Sequence, residues 1–326
     1  MGAAASLQEK PFESVEAALA AGKTQEEIDQ WIAAQSPEAT ATSATTAALE
    51  SIDGSPISDT FAPDGDPVEF ETGGDVTTSV IFLHGITCPS QIYVEGDGDQ
   101  QFGRNFEKSE FWSLKQLLAD SPGVRVVLPQ SPPSNSKAIL GKPPFSMMGV
   151  TSIISWVHQN SYPPAACYDF SRGRAKGVIS YIQGLIDKEI ERGVKPERVF
   201  VAGHSQGACC GGFATLTYGK APLGGLIMLA TANHCINPTD GSCQQEASDI
   251  IHDTQKNGPL KILCCHSPQD RAWKYENTVK SYESLRSAVG DERYTFVELP
   301  DAPADMGWHT AFTPTSSKAI AAFLGE

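Results

Sequence analysis

The sequence contains no basic cluster and no apolar run approaching 18 residues. The first absence removes the electrostatic footprint that nucleic acid requires. The second removes a helix able to span a membrane. There is no N-x-S/T acceptor, and the start of the sequence does not read as a secretory leader ahead of the eight cysteines, Cys88, Cys167, Cys209, Cys210, Cys235, Cys243, Cys264 and Cys265, so no leader is expected. Two of their pairs are vicinal, and none shows zinc-ligand spacing, so the expectation is reduced thiols, no metal and a cytoplasmic protein. Positive charge is the scarcest commodity: 24 Lys and Arg face 39 Asp and Glu, a net charge of −15. The deficit is concentrated at one end. Residues 1–66 hold twelve acids against Lys10 and Lys23, and so carry −10 of the total.

That acidic end reads as an extension in two parts. Residues 11–35 space Val15, Ala18, Leu19, Ile28, Trp31 and Ile32 among helix formers, which predicts a short helical part. Residues 36–66 are rich in Ser, Thr, Ala, Pro and Asp and too poor in apolar side chains to bury a core, which predicts a linker. The first residues, Met1–Gly2–Ala3–Ala4–Ala5–Ser6, fit the pattern for myristoylation of Gly2, the alternative being an ordinary chain start. One acyl chain with no neighbouring cysteine or polybasic run gives at most transient membrane contact.

From Pro67 the pattern changes, and 67–326 reads as one domain. "PVEFE", "TSVIFLHG", "VRVVLPQ", "VFVAG", "LGGLIMLA", "LKILCCHS" and "YTFVELP" read as strands. "NFEKSEFWSLKQLLAD", "GRAKGVISYIQGLIDKEIERG", "YENTVKSYESLRSAVG" and "SSKAIAAFLGE" have helical spacing. Alternation of the two predicts an α/β fold, a mostly parallel sheet with helices on both faces, and chemistry at the C-terminal strand ends. Residues 131–166 are irregular and apolar, with Ile139, Leu140, Phe145, Met147, Met148, Ile153, Ile154 and Trp156 as candidates for an acyl-binding wall or a cover for the sheet.

The segment "VFVAGHSQGACCGGFA" holds a G-x-S-x-G at Gly203–Gly207. Such a sequence between a strand and a helix of small residues suits a nucleophile elbow, with Ser205 at the corner. A serine hydroxyl needs a base, and the base needs an orienting acid. In this architecture the chain order is serine, acid, histidine. Asp270, one short loop beyond the strand "LKILCCH", and His309, in the loop before the last helix, satisfy that order. Each also has a plainer reading, Asp270 as a helix cap and His309 as a loop histidine. Two backbone N–H groups must meet the developing oxyanion. Gln206, next to the nucleophile, supplies one, and Ile86 in "FLHGIT" supplies the other. His84 reads as a structural histidine holding that loop.

Together "VIFLHGIT", "AGHSQGA", Asp270 in "HSPQD", His309 in "GWHTAF", "SIISWVH" and "VKPERVFVAG" resemble the acyl-protein thioesterase and carboxylesterase branch (phospholipase/carboxylesterase) of the α/β-hydrolases. The resemblance covers 67–326. It implies an α/β-hydrolase fold and a cofactor-free serine hydrolase, monomeric or weakly dimeric. Its substrates would be acyl thioesters or carboxylic esters, carried on protein, lysolipid or a small molecule. It also implies that Trp156 lies near the acyl site. Three features depart from the family pattern: "ITCPS" after "HG", "RAWKY" after Asp270, and the segments 1–66 and 236–258, which have no recognised counterpart. Two further readings stay open, a non-catalytic hydrolase-fold binding protein or receptor and a lipid-anchored adaptor acting through residues 1–66.

Overall fold

Runs of Val, Ile, Leu and Phe without charge make strands that tolerate burial on both faces. In the computed structural model, which describes residues 60–86, 90–95, 113–133, 154–157, 170–171, 173–233, 247–270, 272–302, 309 and 311–325, seven such segments form one sheet. They are β1 (Val68–Glu71), β2 (Thr78–Leu83), β3 (Val124–Leu128), β4 (Val199–His204), β5 (Gly225–Leu229), β6 (Lys261–His266) and β7 (Tyr294–Glu298). The spatial order is β1-β3-β2-β4-β5-β6-β7. β1 runs antiparallel to β3, with Val68 opposite Leu128. Every other pairing is parallel, and β4 lies between β2 and β5, with Ala202 beside Phe82 and Ile227. The expected mostly parallel sheet is therefore the one observed.

Eight α-helical segments flank the sheet among the described residues: α1 (Ser90–Glu95), α2 (Leu114–Leu117), α3 (Gly173–Glu191), α4 (Gln206–Leu216), α5 (Ala247–Ile250), α6 (Asp253–Lys256), α7 (Tyr275–Val289) and α8 (Pro314–Gly325). They cover both faces. Ile81, Leu83, Val201, Leu226 and Met228 meet Val178, Ile182 and Leu185 of α3 and Tyr282 and Leu285 of α7. On the other face Val80, Phe82, Phe200, Ile227 and Leu263 meet Tyr93 of α1, Leu114 and Leu117 of α2, and Ile320 and Phe323 of α8. The alternation follows from the two-residue period of a strand, which sends successive side chains to opposite layers.

The long amphipathic segment forms α3 as its spacing predicts, with Val178, Ile182, Leu185 and Ile186 buried. Short helices at 90–95, 247–250 and 253–256 were not predicted; each is too short to show a period. Residues 1–59 lie outside the described residues, and with them the expected helical part at 11–35 and the Gly2 motif. The last residues of the expected linker are packed: Phe61 contacts Trp156 and Tyr181 with ring centroids 6.1 and 5.3 Å away. Among the described residues no helix is long and apolar enough to cross a membrane.

Candidate active site

β4 ends at His204 and α4 begins at Gln206, which leaves Ser205 alone at the corner with φ 54° and ψ −126°. A side chain in that region is strained and persists only where its surroundings force it. The surroundings are visible. A Cβ on Gly203 would lie 2.6 Å from the Ala208 nitrogen, and one on Gly207 2.3 Å from the Leu83 oxygen. Backbone meets backbone on both sides of the serine, and only glycine fits. The Ser205 N–H donates to the Leu229 carbonyl at 2.9 Å, tying the corner to β5.

Asp270 sits past the end of β6, in a turn closed by its N–H on the Ser267 carbonyl at 3.1 Å. Its two oxygens divide the work. Oδ1 accepts the Ala272 and Trp273 N–H groups at 2.8 and 2.9 Å. Oδ2 lies 3.0 Å from Nδ1 of His309. Asp270 is not the cap of the helix that follows, whose N-cap is Lys274; it holds the turn before it through one oxygen and meets His309 through the other. The imidazole of His309 lies 4.9 Å, centroid to centroid, from that of His204, the residue before Ser205. His266 backs the acid from inside the fold. It is fully buried, its Nε2 is 3.2 Å from the Trp273 carbonyl and 3.8 Å from Asp270 Oδ2, and burial lowers its pKa.

The loop after β2 lies against the elbow. A Cβ on Gly85 would come within 2.9 Å of His204 Nδ1 and 3.4 Å of Ser205 Cβ. The Gly85 N–H is committed to the Tyr93 hydroxyl at 2.9 Å, so the next amide along, that of Ile86, is the loop's candidate oxyanion donor. Across from it Gln206 opens α4 directly after Ser205. His84 holds the loop as the sequence suggested. Its Nδ1 donates to the Gly85 carbonyl at 2.6 Å and its Nε2 accepts the Ser131 N–H at 3.0 Å. Burial lowers its pKa to about 4, so it is neutral near pH 7.

Trp156, expected beside the acyl site, is fully buried. Its indole N–H donates to the His84 carbonyl at 2.8 Å, which braces the loop from below. Its segment is held in turn by Gln206, whose Oε1 accepts the Ser155 hydroxyl and the Trp156 N–H at 2.8 Å each. Arg174 of α3, also buried, donates to the Trp156, Ser155 and Pro132 carbonyls. Of the expected apolar wall, Ile154 bridges to Pro133, while Ile139, Leu140, Phe145, Met147, Met148 and Ile153 lie outside the described residues. Cys209, Cys210, Cys264 and Cys265 are free and buried. Burial pushes the Cys209 and Cys265 thiols up to about 12, so neither competes with Ser205 as a nucleophile.

The braces were missed in the sequence. Tyr93, Arg174 and the Gln206 side chain gave no motif signal, although His204 stood inside the G-x-S-x-G itself.

Comparison with known proteins bears on the family and the fold. Residues 168–307 match the sequence model of the Phospholipase/Carboxylesterase family, a span that includes Ser205 and Asp270. Two solved structures share the fold. SOBER1 from Arabidopsis thaliana is 19% identical, with 76% of this chain and 97% of that one covered and a TM-score of 0.50. A phospholipase/carboxylesterase from Dyadobacter fermentans is 14% identical, with 82% and 98% covered and a TM-score of 0.52.

Proposed function

We propose, from this chain's similarity to the phospholipase/carboxylesterase branch of the α/β-hydrolases, that it is a serine hydrolase of acyl thioesters or carboxylic esters. The observation that carries the reading is the strained backbone of Ser205 between two glycines that no larger residue can replace. Backbone strain of this kind clusters at active sites.

In this reading His309, its Nδ1–H held by Asp270 Oδ2, takes the Ser205 proton on Nε2 as the hydroxyl oxygen attacks the acyl carbonyl. The carbonyl π electrons move onto oxygen, and the Ile86 and Gln206 amides receive the charge. Collapse expels the thiolate or alkoxide, which leaves with the proton from His309. Water then repeats the sequence on the acyl-serine, regenerating Ser205 and releasing the carboxylic acid. The amides act only on the developing charge, and one such donor is typically worth about 10²–10³ in rate.

Turnover of a p-nitrophenyl ester tests this. The wild-type protein should sustain many turnovers, and Ser205→Ala should lose them while keeping its melting temperature. Near-normal turnover by Ser205→Ala would refute the assignment. A wild-type protein that binds esters without hydrolysing them would favour the binding-protein alternative.

A further inference from the structure

We propose that Tyr93 and His204 form a positioning pair that locks the oxyanion loop to the nucleophile elbow. This inference rests on the serine-hydrolase reading and adds two residues to it. Tyr93 is buried on α1. That helix is fixed at its start, where the Ser90 N–H donates to Gln130 Oε1 and the Ser90 hydroxyl to the Pro129 carbonyl, each at 2.8 Å. The phenol ring is packed by Phe82 and Phe312, with centroids 5.2 and 5.5 Å away. Its hydroxyl therefore has a defined place, and at that place it meets two groups. The Gly85 N–H lies at 2.9 Å and His204 Nδ1 at 2.8 Å.

An amide N–H only donates, so the Tyr93 oxygen accepts from Gly85; towards His204 Nδ1 it can either accept an N–H or donate its own proton to a bare nitrogen, and we assign the second arrangement. That nitrogen must then carry a lone pair, which a neutral imidazole with its hydrogen on Nε2 provides. Burial first, and then the neighbouring His309, hold His204 well below the usual histidine range, so the ring is neutral, as this arrangement requires. Neutrality serves a second purpose. His309 must become an imidazolium in each half-reaction, and a charged ring 4.9 Å away would oppose it.

The consequence is mechanical. Gly85 is buried; the Tyr93 hydroxyl fixes the His84–Gly85 peptide through its N–H, while His84 Nδ1 holds the Gly85 carbonyl of the next peptide, the one that carries the Ile86 N–H. Without the hydroxyl the buried N–H lacks its partner, and the peptide gains a reason to rotate. The oxyanion donor would then be misplaced rather than deleted. The fall in rate should be smaller than that for losing a donor outright, and it should appear in kcat more than in KM.

The test compares Tyr93→Phe, His204→Phe and His204→Asn with the wild type, using a p-nitrophenyl ester and a fluorophosphonate. Both reagents build charge on an oxygen in the same site. Tyr93→Phe should lower kcat by about tenfold or more, with KM within about twofold, and should slow phosphonylation in parallel. His204→Phe should behave alike. His204→Asn, whose Oδ1 can accept from Tyr93, should recover most of the loss. A folded Tyr93→Phe with kcat within about twofold of wild type would overturn the proposal. If that variant fails to fold, equal kcat in His204→Phe and His204→Asn would overturn it instead. Failure of the serine-hydrolase reading itself shows separately, as absent turnover in the wild type.

Discussion

Asp270 holds the turn after β6 through one carboxylate oxygen and His309 through the other, so the two roles can be separated by substitution. Asp270→Asn with its amide oxygen at the Oδ1 position keeps the bonds from Ala272 and Trp273. It presents an N–H where His309 needs an acceptor. We expect kcat to fall by about 10³–10⁴, as for an orienting acid in a triad, while stability changes by less than about 1 kcal/mol. Asp270→Ala loses both sets of bonds and should add about 1–3 kcal/mol of destabilisation from the stranded amides. Paired kinetic and denaturation measurements decide it. Comparable rates for wild type and Asp270→Asn would mean that the carboxylate only holds the turn.

Segment 154–157 has little regular structure of its own, and its place is set by contacts from α3 and α4. Arg174 holds the Ser155 and Trp156 carbonyls of the segment and the Pro132 carbonyl beside it, and Gln206 holds Ser155 and Trp156. Phe61 covers the assembly, with the Arg174 guanidinium 5.9 Å above its ring. Arg174→Met should therefore cost at least about 2 kcal/mol, since buried carbonyls lose their donors. It should also lower kcat, since Trp156 braces the His84 carbonyl. Full activity in a destabilised Arg174→Met would show that the brace and the chemistry are independent. These contacts also explain what the sequence revealed and what it concealed. Strands such as Thr78–Leu83 and the helix Gly173–Glu191 were legible because their residues repeat with a period that burial imposes. Ser205, Asp270 and His309 stood out as candidates because chain order and small neighbours limit where such residues fall, and the structure sets Ser205 at the strand–helix corner and Asp270 Oδ2 3.0 Å from His309 Nδ1. Trp156 was singled out by resemblance as lying near the acyl site; the structure shows it buried, with its indole N–H on the His84 carbonyl. Tyr93 gave no signal at all, because its partners Gly85 and His204 are 8 and 111 residues away in the chain. A single polar atom at the right distance leaves no pattern in composition or spacing.

The whole molecule carries a proton-linked liability in three buried histidines, His84, His204 and His266, each with its pKa lowered chiefly by burial. In the unfolded chain each takes up a proton as pH falls through about 6.5. In the folded protein each resists it. The unfolded state thus binds more protons on acidification, and stability is lost from about pH 6.5 downward. For His84 the loss stops near its folded value of about 4, below which both states are protonated. At about 1.4 kcal/mol per unit, that span is worth about 3 kcal/mol. Urea midpoints between pH 6.5 and 5, above most carboxylate titration, should fall steadily. The fall should be shallower in His84→Gln, whatever offset that variant carries. Parallel profiles for the two proteins would contradict the linkage.

The central claim is that Ser205 becomes acylated during turnover. Mass spectrometry of the intact protein, quenched in acid during steady-state hydrolysis of a slow p-nitrophenyl ester and followed by peptide mapping, tests it directly. The account predicts one acyl group per chain, confined to the peptide carrying Ser205 and absent from Ser205→Ala. Turnover with no covalent adduct, or an adduct on another residue that survives Ser205→Ala, would contradict it.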